Sequence, residues 1–315
     1  MSTAVITPTS SEQIQLHSAK PSFFGTVRGE FFKIARQWTN WIMLVLLLGV
    51  IVLPYIVEMT APSAKTNIQT NPLHFYYNIL SIGLSILRVF TGIFLLILAA
   101  RTVGLEYQLG TIRVLLSRGV GRLQLLFAKL LVVTLIALGL LVFGLLLNYL
   151  LTVILVVGLT GNLNSFSVLN AVFWSDARIY VLSILLNMGV TILLATAAAV
   201  VGRSVTFGLS AALVFFPIDN IATIVMTLAF RITHNDFWLS TTAYLLGPNL
   251  NAMGSALTNG RAESIGSTPL HIVDQAGQTH GILVDGTHTV VVAFVYAAIF
   301  AVTAIVLTWK RDVKE

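Results

Sequence analysis

Residues 101–129 read RTVGLEYQLGTIRVLLSRGVGRLQLLFAK, a basic, glycine-punctuated island between two long apolar runs. Its cations are Arg101, Arg113, Arg118, Arg122 and Lys129, and Glu106 is its single carboxylate. A basic interlude between stretches long enough to cross a bilayer marks the side of the membrane on which cations are retained. Working outward, the flanking runs at about 79–100 and 130–158 belong to a set of six, with 41–57, 179–202, 205–229 and 289–309. Each is long and apolar enough to span. The first is short, but Trp38 and Trp41 can anchor its end at the headgroup level. The third, as a helix about 44 Å long, exceeds the hydrocarbon core and must tilt or protrude.

Composition agrees. Hydrophobic residues make up 57% of the chain and charged residues 10%, with a mean hydropathy of +0.90. A soluble globular protein carries about 25% charged residues, so 315 residues of this kind could not clothe a surface in water. The absence of cysteine removes disulfides, thiolate chemistry and thiolate-bound metals from consideration. The net charge of +6 is a matter of topology rather than of a nucleic-acid partner. With the N-terminus placed inside, 13 of the 18 Lys and Arg residues fall inside, four fall outside, and Arg88 lies within the second span. Six spans then return the C-terminus to the cytoplasm.

The fold expected is an all-α integral membrane protein: six transmembrane helices, both termini cytoplasmic, an amphipathic N-terminal elbow helix and a small external cap. Residues 1–21, polar and Ser/Thr-rich without a signal-peptide pattern, are expected to form a disordered cytoplasmic tail. Residues 22–315 form one transmembrane domain, with the cap at 230–288 between spans five and six. In the elbow, Phe24, Val27, Phe31, Ala35 and Trp38 share one face, while Thr26, Glu30, Lys33 and Gln37 share the other. Such a helix serves either as a topology anchor or as a guide for a gate. Within the cap, Trp238 to Leu257, broken at Gly247-Pro248, reads as short helices on the membrane surface. His271 to Asp274 and Gly281 to Asp285 read as a small β-hairpin.

No nucleotide-binding loop, zinc-protease motif or nucleophile elbow occurs in the chain. The histidines are irregularly spaced, and no metal site is expected. Two ionisable residues lie at membrane depth, Arg88 in the second span and Asp219 in the fifth, two residues after Pro217. Groups of this kind line a transport route or form a structural pair inside the bundle. Pro217 predicts a kink, and Asn148 and Asn187 predict hydrogen bonds between helices. In the island, Leu105, Leu109, Ile112, Leu115 and Leu116 form a helical stripe, with Glu106, Gln108, Arg113 and Ser117 facing away. Gly104 and Gly110 are positioned to interrupt the helix, and Gly119 and Gly121 to turn the chain. A short amphipathic helix across the ends of two spans is either a lever for a partner or a basic turn.

The run 104–118, GLEYQLGTIRVLLSR, followed by Arg122 and Lys129, resembles the first cytoplasmic loop of ABC-2 type transporter permeases. The Glu30–Lys33–Arg36 segment is similar to the family's N-terminus, and Leu246-Gly-Pro248-Asn249 to its sequence after the fifth span. One departure is Gly119-Val-Gly121, where the family often carries Pro and Ser or Thr, so the turn is more flexible here. The resemblance implies a permease subunit of the plasma (inner) membrane, with no ATP site of its own. It would pair with a second copy or a sister permease and with two cytoplasmic ATPase subunits, which bind ATP and Mg. No cofactor is then bound by this chain. Glu106, Gly110, Thr111, Ile112, Arg113, Leu116, Arg118 and Arg122 would serve coupling to the ATPase. Phe24, Glu30, Phe31, Lys33, Arg36 and Trp38 would form the elbow, and Arg88 and Asp219 would lie on the path. Export of an apolar substrate fits the few polar groups in the spans. A self-sufficient ion-coupled carrier and a membrane scaffold or sensor are the alternatives.

Overall fold

The computed structural model describes residues 22–262, 272–273 and 279–310; the expected N-terminal tail lies outside them. In chain order the elements are α1 (Phe23–Ala35), α2 (Trp38–Thr60), α3 (Ala64–Thr70), α4 (Pro72–Gln108), α5 (Thr111–Ser117) and α6 (Arg122–Thr160). A 3-10 turn at Asn164–Val168 leads to α7 (Ala171–Gly202), α8 (Val205–Thr233), α9 (Phe237–Thr242) and α10 (Leu246–Leu257). Two short strands, β1 (Ile272–Val273) and β2 (Thr279–His280), precede α11 (Gly286–Lys310). Six helices, α2, α4, α6, α7, α8 and α11, are long and apolar enough to cross a membrane.

Helix starts follow local chemistry. Ser22, Asn170 and Ser204 each accept a hydrogen bond from the backbone N–H three residues on, at the heads of α1, α7 and α8. The Asp285 carboxylate does the same for His288 N–H at the head of α11, at 2.8 Å. Burial then ranks the spans: 67% of the apolar window of α4 and 61% of that of α7 is buried, against 17% for α2, α8 and α11. Thus α4 and α7 form the centre of the bundle, and polar side chains at membrane depth gather on them, away from lipid. Helices here associate through close packing rather than through water exclusion. At Gly144 of α6, for example, a Cβ would stand 2.3 Å from Leu87 Cδ1 of α4, so the glycine is the hole into which Leu87 fits. The Asn148 expectation holds across helices: Tyr55 Oη of α2 donates to Asn148 Oδ1 of α6 at 2.9 Å.

Several expectations are corrected. The helix of the second span does not stop at residue 100; α4 continues to Gln108, about 55 Å from its start. Gly104 does not interrupt it. The break falls at Gly110, whose φ of +67° is left-handed and open to glycine at little cost. The island's stripe is therefore split between two helices: Leu109 is exposed and Glu106 is buried. The helix that carries the third span likewise begins ahead of it, at Arg122. Pro217 is carried inside α8, which is helical on both sides of it, as a proline-kinked helix is. Among the described residues Asn187 makes no hydrogen bond across helices; its side-chain oxygen accepts from Thr191 one turn on, at 3.4 Å.

The cap differs most. Its break is at Ala243–Leu245, and Gly247-Pro248 lies in the first turn of α10, where proline's missing N–H costs nothing. Helix α10 does not lie on the surface. Leu246, Leu250 and Met253 are buried against α7 and α11. Gly254 is also buried, and a Cβ there would stand 2.6 Å from the Tyr180 ring. The hairpin pairs Ile272 with His280 and Val273 with Thr279, so its second strand precedes the Gly281–Asp285 segment expected to form it. Asp176 at the head of α7 ties the cap down. Arg261 Nε and Nη2 donate to its two oxygens at 2.6 and 2.8 Å, and Tyr77 Oη donates to it at 2.7 Å.

Candidate functional site

At the end of the bundle that carries the basic island, four charged groups from three helices converge. Lys129 of α6 lies 2.8 Å from Glu30 of α1 and 2.9 Å from Glu106 of α4. Its ammonium also donates to the Thr102 carbonyl at 2.8 Å. Lys33 of α1 closes the ring, 2.8 Å from Glu106 and 3.0 Å from Glu30. Glu30, Glu106 and Lys129 are 6%, 4% and 3% exposed, whereas the Lys33 side chain is half in solvent. Such a buried network holds only while every charge has its partner.

Burial opposes the charge on Glu30, but Lys129 and Lys33 outweigh it and hold its pKa below the ordinary 4.5. Burial also works against the Lys33 ammonium, and hydrogen bonding to Glu106 with the nearby Glu30 charge lifts it above its ordinary 10.5. The sign follows by linkage. A lowered carboxyl contributes stability that is present above its unfolded pKa and is lost as pH falls through its folded one. A raised ammonium contributes below its unfolded pKa and loses that contribution as pH rises through its folded one. The melting temperature of the purified chain is therefore expected to hold above 4.5 and to fall below it. Glu30→Gln should flatten that acid limb; an unchanged limb would mean that other carboxyls carry it.

The same end assembles the rest of the island. Ile112 of α5 is buried with Val120 and Leu125, backed by Tyr107, Leu115 and Leu116, so α5 is pinned to the start of α6. Thr111, Arg113, Val114, Ser117 and Arg118 are exposed, and Leu109 beside them is 68% exposed. Arg122 is turned elsewhere: its Nη1 donates to the Trp309 carbonyl at the end of α11, at 3.4 Å. Gly104 of α4 abuts the turn between α7 and α8, where an added Cβ would lie 2.8 Å from Val205 N and Cα. The Val205 N–H donates to Gln108 Oε1 at 3.3 Å. On α1, Glu30 and Ile34 face the bundle while Phe24, Phe31 and Phe32 are exposed; Arg36, just past its end, is exposed, and Trp38, expected in the elbow, is the exposed first residue of α2.

The two membrane-depth charges are not brought together as an ion pair. Asp219 accepts from the Gly247 N–H in the first turn of α10, so its negative charge sits at the positive end of that helix. Arg88 Nη1 donates to the Leu250 carbonyl of α10 at 2.6 Å. Arg88 also lines a cavity of about 460 Å³ between α4, α7, α8 and α10, with Asn187, Thr191, Asn220 and Asn251 among its polar walls. Asn251 Nδ2 donates to Asn220 Oδ1 at 3.1 Å.

Asp176, Arg261, Asn220 and Asn251 were not singled out by sequence reasoning, and Lys129 was noted in the island and the family motif but given no role. For Lys129 a signal exists. Leu125, Leu126, Val132 and Val133, one helical turn either side, are all buried, which puts a lone cation on an apolar stripe.

A family model described as "ABC-2 family transporter protein" matches residues 26–219, more than half of the chain, from α1 to Asp219 in α8. No curated protein matches it.

Proposed function

The chain belongs to the ABC-2 transporter family, and from that premise we propose that its basic end is the cytoplasmic docking site for ATP-binding cassette ATPase subunits. The chain is a multi-pass membrane subunit of a transporter. In the proposed assembly two permease copies, or this chain and a sister permease, sit in the plasma membrane over two ATPases. ATP and Mg bind on those ATPases, and both termini of this chain face them. The observation that carries the reading is α5, with exposed Thr111, Arg113, Val114 and Arg118 on one side and buried Ile112 fixing it to α6 on the other. A push on α5 passes to α6 directly. It passes through the end of α4 to the α7–α8 turn by way of Gly104, and through Lys129 and Glu106 to α1. Helix α1, with its exposed aromatics, then acts as the elbow at the inner headgroup layer. The direction proposed is export.

Glu106 enters this reading as part of the frame that holds the docking helix, not as a surface contact. A Glu106→Lys change would set a third cation beside Lys33 and Lys129, so it would test folding before coupling. The informative change is the double substitution Arg113→Glu and Arg118→Glu on the exposed face. It is expected to leave expression and melting temperature unchanged while cutting transport-coupled ATP hydrolysis at least tenfold in reconstituted vesicles, a loss of about 1.4 kcal/mol or more at the contact. Normal coupled hydrolysis in that variant would remove α5 as the docking site.

A further inference from the structure

We propose that the cavity beside Arg88 binds the headgroup of an amphipathic anion, a single negatively charged group carried on a hydrocarbon body, and that this is the class of molecule the protein handles. The inference rests on the transporter reading and adds to it the chemistry of the cargo.

Arg88 is 3% exposed and lies about 24 Å along α4 from its start, far from either aqueous end of the bundle. A guanidinium stays charged at any physiological pH, and a charge at that depth is costly unless compensated. The compensation in the fold is partial. One nitrogen serves the Leu250 carbonyl, while Nη2 has no hydrogen-bond partner. Among the described residues no carboxylate pairs with Arg88. The other charge at membrane depth, Asp219 on α8, is engaged by Gly247 of α10. Arg88 thus lines the cavity with one guanidinium nitrogen buried and unpartnered, and an anion bound there would complete it.

The walls specify the rest of the ligand. Asn187, Thr191 and Asn251 bring amide and hydroxyl groups to the same cavity, a pattern suited to oxygen-rich headgroups. Val89, Ile93 and Leu213 also line the cavity and are themselves exposed on the flank of the bundle. The approach is therefore apolar, which disfavours a hydrated inorganic ion and suits a molecule that arrives by its hydrocarbon part. Gly92 is one turn from Arg88 on the same helical face and lines the same cavity. A Cβ added there meets no atom within 4 Å. The absence of that side chain is what leaves the space next to the guanidinium. The volume, about 460 Å³, holds a headgroup and the first part of a chain and falls within the range of small-molecule sites.

The test measures binding to the full-length chain in neutral detergent by native mass spectrometry. The probes are dioleoylphosphatidylglycerol, oleate, dioleoylphosphatidylcholine and inorganic phosphate. Either or both amphipathic anions should bind about tenfold more tightly than phosphatidylcholine, and phosphate alone should not compete. Preference for phosphatidylglycerol over oleate would assign a two-chain membrane lipid; the reverse would assign a single-chain carboxylate. Arg88→Gln should abolish the preference. Because that change also removes the bond to Leu250, Gly92→Leu provides a second variant. It should fill the space, abolish the preference and leave the melting temperature unchanged or higher. A preference that survives in both variants would overturn the proposal, as would equal binding of phosphatidylcholine or full competition by phosphate. The assay contains no ATPase, so binding can succeed while coupling at α5 fails, or the reverse, and the two readings fall separately.

Discussion

Replacing Lys129 with methionine is expected to destabilise the chain by about 3–5 kcal/mol, the usual cost of breaking a buried ion pair by removing one partner. The deficit arises from what is left behind. Glu30 and Glu106, both buried, would share only Lys33, whose half-exposed side chain supplies a partly screened charge. Glu106 Oε2 already has no hydrogen-bond partner, so nothing nearby can take up the loss. The triple variant Lys129→Met, Glu30→Gln, Glu106→Gln should recover more than half of the deficit, since it removes the stranded charges together with the cation. Thermal unfolding of the three proteins in detergent measures this directly. A single variant as stable as the parent would mean that the network contributes specificity rather than stability. An unrecovered triple variant would instead place the cost in lost packing of the lysine stem.

Gly104→Ala carries the second large effect, and its sign is what distinguishes it. An alanine in place of glycine inside an open helix stabilises it by about 1 kcal/mol. At Gly104 the new Cβ would meet Val205 N and Cα at 2.8 Å and Ser204 C at 2.9 Å. Those are backbone atoms of the α7–α8 turn, which cannot swing aside as a side chain can. The expected outcome is net destabilisation of about 1–3 kcal/mol, with Gly104→Leu at or beyond the upper end. Gly92→Ala, in the same helix with open space around it, should be neutral or stabilising and serves as the control. Similar melting temperatures for the two alanine variants would show that α4 and the α7–α8 turn are not in close contact. If α5 transmits force as proposed, Gly104→Ala should also weaken coupling beyond what its stability loss explains, because the turn and α4 would be held apart.

The contrast between these two glycines shows how much of the chain was legible before its structure. Gly92 sits in an apolar run and Gly104 in the basic island, and neither setting reports what the glycine faces. One opens a cavity beside a cation and the other admits a neighbouring backbone. Only the position of the opposing helix separates the two roles. The six spans and the gathering of cations at one end were readable, because hydropathy and the positive-inside rule act along the chain. The coupling segment was readable in kind but not in boundary. Helix α4 persists past residue 100 because no residue before Gly110 forces a left-handed turn, and because its last turns pack on the α7–α8 connection.

Helix α10 marks the limit most clearly. Its Leu246, Leu250 and Met253 stripe fits equally well a helix floating at the interface and a helix seated in a groove, since amphipathic spacing reports one apolar side and not what covers it. What covers it here is the bundle itself. The Asp219 carboxylate meets its first turn, Arg88 meets its Leu250 carbonyl, and Tyr180 closes against Gly254. The sequence by itself determined a basic-ended bundle of six spans with two charges at membrane depth, because burial in lipid is written into every stretch of about twenty residues. Which charges are spent on the fold and which is left facing a cavity was decided only by the tertiary structure. Partners as distant as Glu30 and Lys129, or Arg88 and Leu250, meet through packing, and packing geometry has no local signature along the chain.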